Sequence, residues 1–529
     1  MKIALVAILG GDLVKSSEHM GLGYLAAYLR ENGYNVSVEE ITVIEDAKTY
    51  EFLEKTYDLV GISVTCINLK PALDLAKKIK EKNNLIYTMF GGHMATFSGS
   101  DILEKWNCVD FIINGEGELT LLELVQAIAE GKDTFEGING LLFKTTNGEV
   151  VINEPRELIK DLDSLPIPAR DQFEAHNKNL QYIRLSSSRG CLGNCGFCSA
   201  FVGRKQKGKR WRGRSPKHVI DEIEYLVNKY DHHTYDFVDS TFEDPGEQGK
   251  ERITEIANEI ISRKLNIYYN CCFRAENWSD KDRELLSLLI RSGLEKINIG
   301  FESGNDRGLK ILNKNARMED NLRTIKLLSD FPDIYITFGF IMFQPYSTMN
   351  DVWDNAKFLY DTGIGQVIRH YFWQLEVYPA TLMEEKLIKD QLLIKDYSIE
   401  DGMYIYKFQN PEIKDIVNRT RRMLEIRSVW DFEIFDIIIH TFITRIRRKY
   451  KDNQKIKKFS DFVNQTRAEM SLYNYQFFLK LTKCDGDYNL EKEAEALDQY
   501  ILEKMKVIEN EQFKLGRSLL SEGLELVNR

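Results

Sequence analysis

The sequence predicts an α/β fold in consecutive parts. A doubly wound, Rossmann-like N-terminal domain comes first, then a partial (β/α)6 barrel, then a C-terminal helical domain. Three observations predict it. Short apolar runs alternate with amphipathic stretches over 1–135, the alternation resumes over 181–395, and the periodicity over 396–529 is helical. Residues 136–180 read as a linker. A chain of 529 residues is also too long for one ordinary core.

The N-terminal strand is Lys2 to Leu9. It belongs to MKIALVAILGGD, whose apolar stretch ends at Gly10 without an A-x-A-like cleavage site, so it reads as a buried strand rather than a secretion signal. GLGYLAAYLRENG, from Gly21 to Gly33, is an amphipathic helix closed by glycine. NVSVEEI, LVGISVT, NLIYTMFGGH and DFIINGEGE supply further strands, with PALDLAKKIKEK and ELTLLELVQAIAEG as helices between them. Doubly wound sheets bind ligands beyond the carboxyl ends of their strands. There the sequence places Ser63, Thr65, Gly91, Gly92, His93, Gly115, Glu116, Gly117 and Glu118. Glycines let backbone amides approach a ligand, and Ser or Thr supply hydrogen bonds; each group taken singly also suits an ordinary turn.

In the linker, GLLFKTTNGEVVINEP is a hairpin turning at Asn147-Gly148, and DLDSLPIPARDQF is an extended crossing segment. YIRLSSS then begins a strand that runs into RGCLGNCGFCSA. Cys191, Cys195 and Cys198 stand there in C-x₃-C-x₂-C spacing. Structural zinc wants a fourth Cys or His and usually a second C-x₂-C knuckle; Cys271 and Cys272 are adjacent and make a poor one. A disulfide with one free thiol fits a reduced compartment still less. A [4Fe–4S] cluster held by three thiolates accounts for the spacing better. It leaves one iron open to chelate a small molecule through an amine and a carboxylate. Phe197 would shield one side of the cluster.

Six strand segments follow one another from YIRLSSS through TYDFVDSTFED, NIYYNCCFRAEN, EKINIGFESG and IYITFGFIMFQP to VIRHYFWQLEVYPAT. Parallel barrels carry function at strand carboxyl ends. The candidates are Asp239, Ser240, Thr241, Asn270, Arg274, Glu302, Ser303, Gln344, Tyr378 and Pro379. Arg274 has the fork to pair with a carboxylate, or with a surface partner, and Glu302 and Ser303 have the groups to hold ribose hydroxyls.

The basic run GRKQKGKRWRGR, Gly203 to Arg214, fits an RNA or leader-peptide contact. It fits better a solvated loop with one or two residues reaching a carboxylate or a cofactor tail, because the whole chain is acidic: 71 basic against 81 acidic residues, net charge −10. That balance argues against general nucleic-acid binding. No run of about 18 apolar residues exists, so no membrane span is expected. Scattered cysteines, Cys484 among them, point to the reducing cytoplasm. In the C-terminal part, RTRRMLEIRSVWDFEIFDIIIHTFITRIRRKY and YNLEKEAEALDQYILEKMKVIENEQF are long amphipathic stretches. Trp430, Phe432 and Phe435 read as core there.

The pieces GLGYLAAYLRENGYNV, VGISVT, GGHMAT and GEGELTLLELV resemble the cobalamin-binding domain found ahead of many radical S-adenosylmethionine (SAM) enzymes. The D-x-H-x-x-G motif of better-known cobalamin domains is absent, and His19 and His93 lack its context, so His93 is expected as a loop hydrogen-bonder. C-x₃-C-x₂-C with Phe197 before the third cysteine resembles the radical SAM signature. FVDSTF, FRAEN, INIGFESGNDRGLKILNK, FGFIMFQPYST and VYPAT resemble that family's barrel pieces. FQP and Ala380 depart from its more usual glycine-containing turns.

The resemblance implies a [4Fe–4S] cluster on Cys191, Cys195 and Cys198, and SAM near Phe197, Asp239, Ser240, Asn270, Arg274, Glu302 and Ser303. It implies cobalamin against Ser63, Thr65, Gly91, Gly92, His93, Gly115, Glu116 and Gly117. The implied reaction is methyl transfer to an unactivated carbon by way of a 5′-deoxyadenosyl radical and methylcobalamin. The substrate would be a small molecule, lipid or peptide, and the electron donor a protein such as flavodoxin or ferredoxin. A cobalamin-binding radical SAM cyclase or rearrangement enzyme is the alternative, and a non-catalytic protein with a structural cluster is the reading from a different class.

Overall fold

A computed structural model describes residues 1–9, 18–41, 47–145, 147–176, 180–199, 206–394, 403–483 and 489–525. Two compact units make up the described chain. The first comprises Met1–Cys272, Val377–Lys389 and Leu393–Ile405; the second comprises Phe273–Glu376, Asp390–Leu392 and Tyr406–Arg529.

The first unit opens with strictly alternating elements: β1 (Lys2–Ile8), α1 (Met20–Glu31), β2 (Asn35–Ile41), α2 (Ala47–Glu54), β3 (Leu59–Ser63), α3 (Leu69–Lys82), β4 (Tyr87–Gly91), α4 (His93–Lys105), β5 (Phe111–Ile113) and α5 (Glu118–Ala129). The strands pair in parallel in the order β2-β1-β3-β4-β5. Nearly every residue of β1 is buried, as a strand covered on both faces requires. One apolar layer holds Val6, Val60, Leu75 and Phe90, and the other holds Leu5, Ala26, Leu124 and Phe111. Gly33, at φ +84°, ends the turn after α1, where a left-handed residue was expected.

The hairpin read as linker is part of this sheet. Strands β6 (Leu141–Lys144) and β7 (Val150–Ile152) add antiparallel to β5, giving seven strands in one sheet. Leu141 and Phe143 enter one apolar layer and Leu142 the other, which periodicity alone assigns to a hairpin but not to a neighbour. A short helix, α6 (Asp171–Ala175), follows the crossing segment.

Within the same unit, β8 (Ile183–Leu185) leads to a two-stranded ribbon, β9 (Ser188–Arg189) with β10 (Arg212–Gly213), that closes the base of the cysteine loop. Helix α7 (Pro216–Tyr230), capped by the Ser215 hydroxyl with proline in its first turn, precedes β11 (Thr234–Phe237). Helix α8 (Gly246–Ser262) then precedes β12 (Tyr268–Arg274). β8, β11 and the first half of β12 run parallel, and the division between units falls within β12.

The second unit holds α9 (Arg283–Ser292), β13 (Leu294–Glu302), α10 (Asp306–Ile311), α11 (Met318–Ser329), β14 (Tyr335–Phe340) and α12 (Met349–Asp361), with β13 parallel to β14. The sixth strand segment takes another form. Ile368–Tyr371 is a 3₁₀ turn, and among the described residues only isolated bridges continue the pattern, Phe343 with Gln374 in this unit and Val377 with Tyr404 in the first. Val367, Ile368, His370, Tyr371 and Phe372 are buried, while Arg369 in the middle of the turn pairs with Glu433 and lies over the Trp430 ring. Helices Pro411–Leu424, Arg427–Lys449, Gln454–Thr482 and Leu490–Ser521 complete the unit. The first amphipathic stretch is thus broken near Glu425, while Trp430 is half-buried and Phe432 is core.

Candidate active site

Two cavities lie at the carboxyl ends of the first sheet, both lined entirely by residues of the first unit. The cradle, about 320 Å³, is bounded by Leu5, Ser63, Gly91, Gly117 and the start of α1. The cluster cavity, about 340 Å³, is bounded by Cys191, Cys195, Cys198, His93, Ser199 and Ser240. Gly92, Gly115, Glu116 and Arg189 line both.

The three thiols form no disulfide, and among the described residues no set of three or more Cys, His, Asp or Glu side chains stands close enough to hold one metal ion. They surround a space instead, which suits a body the size of a four-iron cube. The loop is prepared for thiolates and anchored at its edges. The Gly193 N–H donates to Cys191 Sγ at 3.2 Å, and the Leu192 N–H donates to Asp244 Oδ2 at 3.1 Å. The Gly196 carbonyl accepts from the Met383 N–H at 2.9 Å, which ties in helix Leu382–Lys389. Gly190 is obligatory: at φ +88° its Cβ would lie 1.7 Å from the Arg210 carbonyl oxygen. The donor set and the room fit an iron–sulfur cluster.

The cradle also fits a bulky cofactor. A Cβ on Gly21 or Gly91 would project into open space, so the wall is cut back where those glycines stand. Of the residues expected around cobalamin, Ser63, Gly91, Gly92, Gly115, Glu116 and Gly117 line the cradle, and His93 lines the cluster cavity. Burial keeps the His93 imidazole below its ordinary range, so it is neutral near pH 7. Thr65 lines neither cavity; its N–H and hydroxyl both donate to Asn68 Oδ1.

Of the residues expected around SAM, Ser240 lines the cluster cavity, while Phe197 is half-buried and lines neither. Asn270 is buried, with neither side-chain amide atom hydrogen-bonded among the described residues. Asp239 has an internal task. Its carboxylate accepts from the N–H and hydroxyl of both Ser187 and Ser188, fixing the turn into β9. Burial pushes its carboxyl up, against Arg252 and those serines.

Arg274, Glu302 and Ser303 belong to the second unit. Glu302, at φ +64°, has its carboxylate over Gly300 and Gly339 and about 4.0 Å from Lys314; burial raises its pKa against that lysine. Arg274 faces Glu276 at 3.5 Å, and Ser303 donates to Asn355 Oδ1 at 3.0 Å. Ala380 stands at φ +60°, which explains physically why glycine is at home there.

Sequence reading missed Arg189, Tyr24 and Leu158 as cavity residues. Arg189 lies over the Tyr24 ring, 4.9 Å from its centre, and donates to Glu118 Oε1 at 2.6 Å. Burial opposes its charge, but Glu118 and Glu116 outweigh that and hold it above its usual range. In the basic run, Arg212 reaches Glu116 and Arg214 reaches Glu222; the carboxylate contacts are as expected of one or two residues, but both side chains are buried rather than solvated. Gly203, Arg204 and Lys205 lie outside the described residues, as does Cys484.

Comparison with known proteins defines the class. Residues 185–359 match the radical SAM superfamily, and residues 7–125 match the B12 binding domain. An uncharacterized methyltransferase of Pyrococcus horikoshii is 29% identical over 450 residues, 82% of this chain and 94% of that protein. The anaerobic magnesium-protoporphyrin IX monomethyl ester cyclase of Rubrivivax gelatinosus is 30% identical over 334 residues, 61% of this chain and 58% of that one. The structure of OxsB, a cobalamin-dependent SAM radical enzyme with aqua-cobalamin and SAM bound, superposes with TM-score 0.72 at 19% identity, covering 98% of this chain and 80% of that one. The chain thus joins a B12 binding domain to a radical SAM domain, and its likeness is to cobalamin-dependent radical SAM enzymes of the methyltransferase type. No helix of the described residues is long and apolar enough to cross a membrane.

Proposed function

We propose that the protein moves a methyl group to an unactivated carbon of a small-molecule, lipid or peptide substrate. The observation that carries this reading is the pair of adjoining cavities, one walled by three thiols and the other by glycine-rich strand ends. When bound, the cluster supplies an electron to open SAM to a carbon radical, and cobalamin supplies the methyl group. In this reading Cys191, Cys195 and Cys198 hold three irons, and Ser240 and Asn270 offer polar groups to SAM. Arg274, Glu302 and Ser303 are assigned to SAM by resemblance alone. Ser63, Gly91, Gly92, Gly115 and Gly117 cradle cobalamin, with neutral His93 as a hydrogen-bonder beside it. The protein's part is to place these groups and exclude water. We assign 1–135, with the hairpin that extends its sheet, to cobalamin, the rest of 136–180 to the connection, 181–395 to radical initiation and 396–529 to an accessory role. The compartment is the cytoplasm, with a donor such as flavodoxin or ferredoxin.

The test is anaerobic reconstitution with iron, sulfide and cobalamin, followed by reduction with SAM present. S-adenosylhomocysteine together with methylcobalamin is the expected result. 5′-Deoxyadenosine without S-adenosylhomocysteine would replace methyl transfer by cyclisation or rearrangement, a reading that the likeness to the Rubrivivax cyclase supports.

A further inference from the structure

Four segments of the first unit meet at one carboxylate, that of Glu116. Both of its oxygens accept from Arg212 Nη1 at 2.9 Å, and Oε2 also accepts from the Ile159 N–H at 2.9 Å. Arg189 Nη1 stands 3.4 Å from Oε1, and the same Arg212 nitrogen donates to the Ile159 carbonyl at 2.9 Å. Glu116 lies on the loop after β5, which walls the cradle; Arg189 and Arg212 pair in the ribbon at the base of the cysteine loop; Ile159 lies between the hairpin and the crossing segment. The Glu116 side chain is 16% exposed and that of Arg212 is 6% exposed, so little water competes.

Backbone packing marks the same junction independently. A Cβ on Gly115 would lie 1.4 Å from the Gln206 side chain, and one on Gly190 would overlap the Arg210 carbonyl. The Leu158 N–H donates to the Lys207 carbonyl at 2.9 Å. Residues 206–212 are therefore held against the cradle wall on one side and the entrance to the cysteine loop on the other.

We propose that Glu116 is a positioning residue that latches the cradle wall to the base of the cysteine loop, so that a ligand filling the cradle also tightens the ribbon carrying the thiols. The cradle ligand, but not the latch itself, rests on the reading above. Glu116 was expected to touch cobalamin; its hydrogen bonds go to this junction instead.

Hydrogen exchange of the full chain tests it, comparing the wild type with Glu116→Ala and with the shape-conserving Glu116→Gln, each with and without aquocobalamin. Without cobalamin, loss of the latch is expected to speed exchange of the Ser188–Arg189 and Arg212–Gly213 amides by about tenfold or more, while amides of β1 and β3 stay protected. With cobalamin, the wild-type ribbon gains protection; at cobalamin concentrations set to equal occupancy, Glu116→Ala shows no such gain. Ribbon exchange unchanged by Glu116→Ala, or cobalamin-induced protection equal in variant and wild type, overturns the proposal. If Glu116→Ala fails to fold, Glu116→Gln decides by the same two criteria. A wild type that takes up no cobalamin defeats the functional reading, and the cobalamin-free comparison still decides the latch.

Discussion

The base of the cysteine loop and the C-terminal helices are held together by different physics. Around the loop, Arg170 lies between Glu18 at 2.9 Å and Glu222 at 2.6 Å, with Arg214 on the other Glu222 oxygen, and all four side chains are at most 4% exposed. The C-terminal helices pack chiefly through Ile439, Ile443, Ile456, Phe459, Val463 and Leu515; pairs such as Arg422 with Glu491 lie on their surface, and the buried Asp436 is held by Arg467, whose side chain is 16% exposed. Apolar packing accepts many small rearrangements, whereas a buried ionic junction is satisfied in one arrangement and costs several kcal/mol when a partner is missing. Reactive groups need fixed distances, and a second charged junction, of Glu116, Arg189 and Arg212, lines the cluster cavity itself.

Substitutions can break this contrast in graded steps. The largest effect belongs to the thiols: Cys191→Ala, Cys195→Ala or Cys198→Ala should each abolish SAM cleavage, read as 5′-deoxyadenosine or S-adenosylhomocysteine formed. Full turnover by any one of them defeats the cluster assignment. Next, Arg170→Met strips a partner from two buried carboxylates and should lower stability by about 3 kcal/mol or more, measured by urea unfolding.

A smaller effect is pH-dependent. His370 is buried against Phe338, with ring centroids 4.1 Å apart, and burial lowers its pKa to about 3. The unfolded chain takes up a proton near pH 6.5 that the folded chain refuses, so this contribution is intact above 6.5 and is lost as pH falls toward 3. Between pH 7.5 and 5.5 the loss is about 1.4 kcal/mol, and His370→Phe should flatten that part of the stability profile. An unflattened profile would show that the ring titrates freely.

Ala380→Gly relieves a left-handed alanine at the cost of chain entropy, and should stabilise by up to about 1 kcal/mol. Glu491→Ala removes a surface partner only and should leave the melting temperature unchanged, which sharpens the contrast from the other side.

Local patterns made much of this legible in the sequence. The alternation of apolar runs and helices placed β1 to β5, and the cysteine spacing placed the loop, because both are written within a few residues. Glu116 and Arg212 are 96 positions apart, and Arg170 and Glu18 are 152 apart, so no local period reports their pairing. Asp239 looked like a ligand contact because it stands at a strand end; its four hydrogen bonds to Ser187 and Ser188 are tertiary. The sixth strand segment misled because an apolar run buried almost throughout carries no period to separate a strand from a turn.

The central claim is that three thiolates hold a cluster with one iron left for SAM. Electron paramagnetic resonance of the reconstituted, reduced protein, recorded with and without SAM labelled at its amino nitrogen and carboxylate oxygen, tests it directly. The account predicts a shifted cluster signal with hyperfine coupling to both labels. A signal unchanged by SAM and uncoupled to either label would contradict it.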